Sequence, residues 1–375
     1  MGKTILFDVD GVLLSEHRYF DASALTVWEL VHSKNYLGLQ SDRFHTDVTE
    51  SEVGELRAEV FQDDEVLYLI KSKGINANWD MVYLTFSFQL IRLLSQLSET
   101  NGEYVKKVLQ DMTLNRETLQ EIGEELYKAG IEPDYKTFVP VMKKAEAMRG
   151  ELLTYLNYVA YEMTGIETMA FTRNSELWEL GRETFQEWYV GEGLTEKSIG
   201  RPAYQKGKEG FIHIETPLAT MEELDELFTK LKEEGHTLGI GTGRPALETV
   251  EPLENLGILS YFDRNRMATA SDVLEAEKKH GDKAPLAKPN PFTYMFAWLE
   301  RSSIEEALLY TFTEEEKDSV VIVGDSLADG LAAQSLGCHF VAVLTGLSGQ
   351  KARLEFEQNN QHNIINNIKD LYEAL

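Results

Sequence analysis

Residues 5–13 read Ile5-Leu6-Phe7-Asp8-Val9-Asp10-Gly11-Val12-Leu13. A short apolar run ends in two carboxylates spaced two apart and then a glycine, which predicts a buried strand over Thr4 to Phe7. Residues i and i+2 of an extended chain face the same side, so Asp8 and Asp10 point together. Two readings fit the bare pattern. One is a strand followed by an Asp-Gly turn. The other is a carboxylate pair at the C-terminal end of a parallel strand, where open α/β sheets bind their ligands. Paired carboxylates repel, and a hard cation such as Mg²⁺ relieves that repulsion. An EF-hand loop does not fit: with Asp8 as its first ligand, Val12 and Leu13 fall where a ligand and the glycine belong.

Three later stretches have related form. Leu238-Gly239-Ile240-Gly241-Thr242-Gly243-Arg244-Pro245 is a strand end followed by a hydroxyl and a glycine. Free N–H groups at such a turn bind oxyanions, although Thr-Gly at a strand end is also an ordinary turn. Ala287-Lys288-Pro289-Asn290-Pro291 holds a lysine between stiff neighbours, either a fixed cation or a solvated loop. Val320-Val321-Ile322-Val323-Gly324-Asp325-Ser326-Leu327-Ala328-Asp329-Gly330 is a hydrophobic strand ending in a carboxylate. Asp329 follows one helical turn after Asp325 and on its face, so both reach one metal or one lysine; alternatively Asp325 caps the helix.

The chain has 375 residues, enough for two domains. Apolar residues recur three and four apart over Ser51 to Gln62, Trp79 to Leu97, Arg116 to Lys128, Tyr135 to Met163 and Ser175 to Tyr189, predicting helices. The second half alternates helical segments with short strands at Thr237 to Ile240, Ser319 to Val323 and Phe340 to Leu344. That alternation predicts an α/β fold with a doubly wound parallel sheet. The expected core is residues 1–15 and 213–375. A large, mostly helical domain, residues 16–212, is inserted after the first strand.

The net charge is −27, with −12 in the insert and −15 in the core. Neither part carries the positive surface that nucleic acid or an anionic membrane requires. The single cysteine, Cys338, makes no internal disulfide and no cysteine-rich zinc site. The apolar start is too short for a signal peptide, and Met81 to Leu97 is too interrupted for a membrane span. The expected location is the cytoplasm.

Together the four motifs, in this order and each on its expected element, resemble the haloacid dehalogenase superfamily. The resemblance covers residues 1–15 and about 213–350, and the large insert occupies the position of that family's type-1 helical cap. It implies a Mg²⁺-dependent phosphatase acting on a small phosphorylated metabolite. Asp8 is then the nucleophile, forming an aspartyl-phosphate, and Asp10 the general acid and base. Thr242, the Gly243 amide and Lys288 hold the phosphoryl oxygens. Asp8, the Asp10 carbonyl and Asp325 hold Mg²⁺, while Asp329 acts through metal-bound water or orients Lys288. Retention of Asp10 argues against a dehalogenase or phosphonatase. The Thr242-Gly243-Arg244-Pro245 run looks most like the phosphoglycolate phosphatase-like branch. A phosphomutase, or a binding protein that uses the cap as its surface, are the alternatives.

Arg18 and Arg244 are possible substrate contacts, with a solvated loop as the plainer reading of Arg18. Arg201, Lys206 and Lys208 read either as a cationic hinge or as a charged linker. Tyr83, Phe86, Phe88, Trp178, Phe185 and Trp188 are expected in the cap core. Cys338, His213 and His236 are expected to be structural.

Overall fold

The computed structural model describes residues 2–75, 77–148 and 150–375. They form two compact units, one of residues 1–16 with 212–375 and the other of residues 17–211.

The first unit is built on a six-stranded sheet. Its strands are β1 (Thr4–Phe7), β2 (Thr237–Gly241), β3 (Met267–Ala268), β4 (Val320–Gly324), β5 (His339–Val343) and β6 (Ile364–Ile365). All pairings are parallel, in the spatial order β3-β2-β1-β4-β5-β6. The two short edge strands carry too few residues to show a period, and the sequence reading omits them. Alternate side chains enter separate layers. Ile5, Phe7, Leu238, Ile240, Val321 and Val323 pack with Leu224, Phe228, Leu253 and Ile368 on one face. Leu6, Val320, Ile322, Phe340 and Ala342 pack with Met295, Ala332 and Ala333 on the other. Burial on both faces explains why these strands read as continuous apolar runs. Phe7 anchors the first layer with edge-on contacts to Phe228 and Phe262, at 5.9 and 5.8 Å between ring centroids.

The register sets the functional edge. Phe7 lies opposite both Ile240 and Val323, so β1, β2 and β4 end level. Asp8, Thr242 and Asp325 follow these ends within one or two residues. Beyond β1 the chain folds into a tight turn in which the Leu13 and Leu14 amides both donate to the Val9 carbonyl, at 2.9 Å. Gly11 sits in it at φ +70°, a conformation that costs other residues energy.

The second unit is helical. Its main helices are His17–His32, Glu50–Phe61, Glu65–Ser72, Asn78–Asp111, Arg116–Lys128, Glu151–Thr164, Glu176–Val190 and Glu192–Ile199. Asn78–Asp111 is interrupted at Asn101, which has φ −142° and ψ 57°. The helix expected over Tyr135 to Met163 is instead two pieces, Phe138–Met142 and Glu151–Thr164. Between them Lys143, Lys144 and Glu146 are exposed and, among the described residues, only Ala145 is buried, so no apolar stripe sustains a helix there. The six expected core aromatics are all buried. Trp178 also donates from Nε1 to Asp80 at 2.8 Å. Among the described residues no helix is long and apolar enough to cross a membrane.

Candidate active site

The site is assembled around Lys288. Its Nζ lies 2.6 Å from Asp8 Oδ2 and 2.8 Å from Asp329 Oδ1. Asp8 Oδ1 accepts from the Val9 amide at 2.8 Å. Asp329 is fully buried and saturated: Tyr294 donates to Oδ1 at 2.8 Å, and the Ser326 hydroxyl to Oδ2 at 2.7 Å. The Ser326 contact belongs to a capping box at the start of helix Leu327–Leu336. Asp329 therefore orients Lys288 and starts a helix with the same side chain.

Asp325 joins the group. Carboxylate oxygens of Asp8, Asp325 and Asp329 lie within 4.8 Å of one another, a cluster able to hold a metal ion. Close backbone makes room for it. A Cβ on Gly324 would stand 2.4 Å from Asp329 Cβ and 2.5 Å from its Cγ. Gly324→Ala is therefore expected to lower stability by about 1–3 kcal/mol through overpacking, read from the urea midpoint.

The electrostatics follow from burial. It pushes the Asp8 carboxyl up to about 7, the Lys288 charge opposing and the Asp329 and Asp10 charges adding. For Lys288 burial works against the ammonium, but Asp329 and Asp8 outweigh it and hold its pKa above the ordinary value. Burial foremost, with Asp329 and Asp8 adding, raises the Tyr294 hydroxyl well above its usual range.

A second cluster surrounds Asp10. Arg244 donates to its Oδ1 from Nε at 2.9 Å and from a terminal nitrogen at 2.5 Å. The other terminal nitrogen binds Glu215 Oε1 at 2.8 Å and the Glu248 carbonyl at 3.3 Å. Arg244 is only 1% exposed. The expectation of a substrate contact is thus replaced by that of a buried brace: its charge is taken up by two carboxylates. Thr242 is buried and its hydroxyl accepts from the Arg244 amide at 3.2 Å. Gly243 is exposed, with no atom within 4 Å of where a Cβ would stand. Asp10, expected to reach the metal through its backbone carbonyl, has its side chain turned to Arg244; the three clustered carboxylates are Asp8, Asp325 and Asp329.

Arg18 belongs to the helical unit, paired there with Asp21 at 3.2 Å and Glu50 at 2.9 Å. Lys208 and Arg201 likewise serve the helical unit's own packing, Lys208 being buried between Glu29 and Glu187. Lys208 is thus a buried ion-pair partner and not a solvated linker cation, while Lys206 is exposed. Cys338 is packed, and burial pushes its thiol up to about 12. The His236 ring accepts from the Lys3 amide at 2.9 Å. Sequence reasoning missed Tyr294 and Glu215. A tyrosine in the apolar run Phe292–Trp298 and an acid just after His213 were the only signals.

Residues 285–371 match the model of the HAD-hydrolase-like family, a span that carries Lys288, Asp325 and Asp329. Among solved structures, a crystal structure from the Northeast Structural Genomics Consortium is 39% identical, with a TM-score of 0.85 over 99% of this chain and 98% of that one. A phosphatase from Thermococcus thioreducens is 16% identical over 95% and 98% of the two chains, with a TM-score of 0.44. A haloacid dehalogenase-like protein of unknown function from Agrobacterium tumefaciens is 11% identical over 100% and 97%, with a TM-score of 0.39. No curated protein matches the chain. With the four motifs gathered on one sheet edge and a family model spanning two of them, the chain belongs to the haloacid dehalogenase superfamily.

Proposed function

We propose that this protein is a Mg²⁺-dependent phosphatase that hydrolyses a small phosphate monoester through an aspartyl-phosphate on Asp8. The observation that carries the reading is Lys288, held 2.6 Å from Asp8 and 2.8 Å from Asp329 within a three-carboxylate cluster. A nucleophilic carboxylate beside a fixed cation is what phosphoryl transfer needs, since positioning and charge neutralisation supply most of its catalysis.

The residues fit the metal. Three carboxylates against one ammonium leave a net charge of −2, and oxygen donors suit a hard divalent cation. Asp8 and Asp325 would hold it, with Asp329 behind them. When bound, Mg²⁺ would neutralise charge on the phosphoryl oxygens.

The chain's own residues do the rest. An Asp8 oxygen forms a bond to phosphorus as the ester P–O bond breaks, and Asp10 gives its proton to the departing oxygen. Asp10, now a carboxylate, takes a proton from the water that attacks phosphorus, and the Asp8–phosphorus bond breaks. Lys288, the Thr242 hydroxyl and the exposed Gly243 amide bind phosphoryl oxygens. One lysine, one hydroxyl and one amide suffice for a single phosphoryl group, and the net charge of −27 disfavours a polyanion.

Phosphate release is to be measured from a panel of sugar phosphates, phosphoglycolate and nucleotides, with Mg²⁺ and with EDTA. Turnover is expected with Mg²⁺, falling to background in EDTA and returning when Mg²⁺ is restored. Folded protein that binds Mg²⁺ yet releases phosphate from none of them would overturn the reading in favour of a binding protein.

A further inference from the structure

Arg244 places two N–H groups on one oxygen of Asp10. Nε and a terminal nitrogen both donate to Oδ1, at 2.9 and 2.5 Å, so both guanidinium bonds to Asp10 converge on that one oxygen. Two charge-assisted bonds occupy both lone pairs of Oδ1. A proton on Asp10 is therefore directed to Oδ2. The exposures agree: the Asp10 side chain is 25% exposed while that of Arg244 is 1%. Arg244 is itself held from behind by Glu215 and by the Glu248 carbonyl. Glu215 is equally buried, at 1% of its side chain. Its carboxylate prevents the guanidinium from turning away and shares its charge.

We infer that Arg244 is a positioning residue that makes Oδ2 the proton-carrying oxygen of Asp10, and that Glu215 fixes Arg244 for that purpose. This rests on the phosphatase reading. In the first step the Oδ2 proton passes to the ester oxygen as its bond to phosphorus breaks. In the second, Oδ2 accepts the proton of the attacking water. A lysine cannot reproduce the arrangement, because one ammonium does not present a planar fork with two donors on Asp10 Oδ1 and a third on Glu215.

Leaving-group dependence tests this, since a nitrophenolate departs without a proton and an alkoxide does not. Single-turnover rates are to be measured for 4-nitrophenyl phosphate and glycerol phosphate with wild type, Arg244→Met, Arg244→Lys and Glu215→Gln, each checked for folding by circular dichroism. Arg244→Met is expected to slow the glycerol phosphate step about 100-fold, the scale of general acid catalysis, and the nitrophenyl step by only a few-fold. Arg244→Lys recovers part of the glycerol phosphate rate, and Glu215→Gln gives a smaller loss with the same bias. A crystal structure of Arg244→Met is expected to show the Asp10 carboxylate rotated. Equal slowing of both substrates, or a raised KM with unchanged kcat, would overturn the inference; the second result would make Arg244 a substrate contact. If Arg244→Met does not fold, Arg244→Lys and Glu215→Gln carry the same decision. Wild type inactive on both substrates overturns the phosphatase reading, and this inference with it.

Discussion

Asp8→Asn is expected to reduce phosphate release at least about 1000-fold, because it removes the nucleophile while leaving the shape of the site intact. Asparagine is nearly isosteric, and Lys288 keeps its 2.8 Å contact with Asp329, so the variant folds and the loss is chemical. Stability is expected to move the opposite way. Burial raises the Asp8 carboxyl from 3.8 to about 7, Lys288 opposing and Asp329 and Asp10 adding. Between those two values the metal-free folded protein keeps a proton that the unfolded chain has released. Wild type without metal therefore loses stability as pH rises from about 4 to 7, by roughly 1.4 kcal/mol per pH unit at most, and the loss levels off above 7. The asparagine variant lacks this dependence. Urea unfolding in EDTA at pH 4.5 and 7.5 checks it: the two proteins converge at the lower pH, and Asp8→Asn is the more stable at the higher. An Asp8→Asn protein with unimpaired turnover would remove Asp8 from the mechanism.

Lys208→Met is expected to destabilise the helical unit by about 3–5 kcal/mol, the cost of breaking a buried ion pair from one side. Lys208 Nζ lies 2.6 Å from Glu29 and 2.9 Å from Glu187, and all three side chains have no exposure. The two carboxylates are unequal. Burial raises the Glu29 carboxyl above its ordinary value, although Lys208 and the Trp188 indole oppose it. Burial acts on Glu187 as well, but Lys208 and the Tyr204 and Gln205 amides outweigh it and bring that carboxyl below its usual range. Removing the lysine strands Glu29 first, since beyond it the Trp188 contact at 2.7 Å is Glu29's main support. The double variant Glu29→Gln with Lys208→Met is expected to recover part of the loss. Urea midpoints of the three proteins decide the matter; a Lys208→Met midpoint equal to wild type would mean that the triad contributes nothing.

These two sites differ in how far they could be read beforehand. Asp8, Lys288, Asp325 and Asp329 were legible because each follows a strand end or a proline-stiffened turn, and parallel strands bring such ends to one edge. The Tyr135 to Met163 segment was not, since apolar spacing continues across residues whose neighbours leave them in solvent. By sequence Lys208 reads as a hinge or linker cation, because it stands among glycines and other cations. Its partners lie 179 and 21 positions away, at Glu29 and Glu187. By sequence Arg244 reads as a possible substrate contact, since it follows a phosphate-binding type of turn, yet its partners Asp10 and Glu215 hold it inside.

Local order along the chain therefore determined the parallel α/β core, the large helical insertion and which carboxylates and lysine gather at the strand ends. These follow from periodicity, strand-end chemistry and chain direction, all properties of neighbouring residues. The tertiary structure alone decided which charges are spent on one another: Arg244 on Asp10 and Glu215, and Lys208 on Glu29 and Glu187. A charge acts across space, and its partner in space is set by packing between distant segments, which neighbouring residues do not encode.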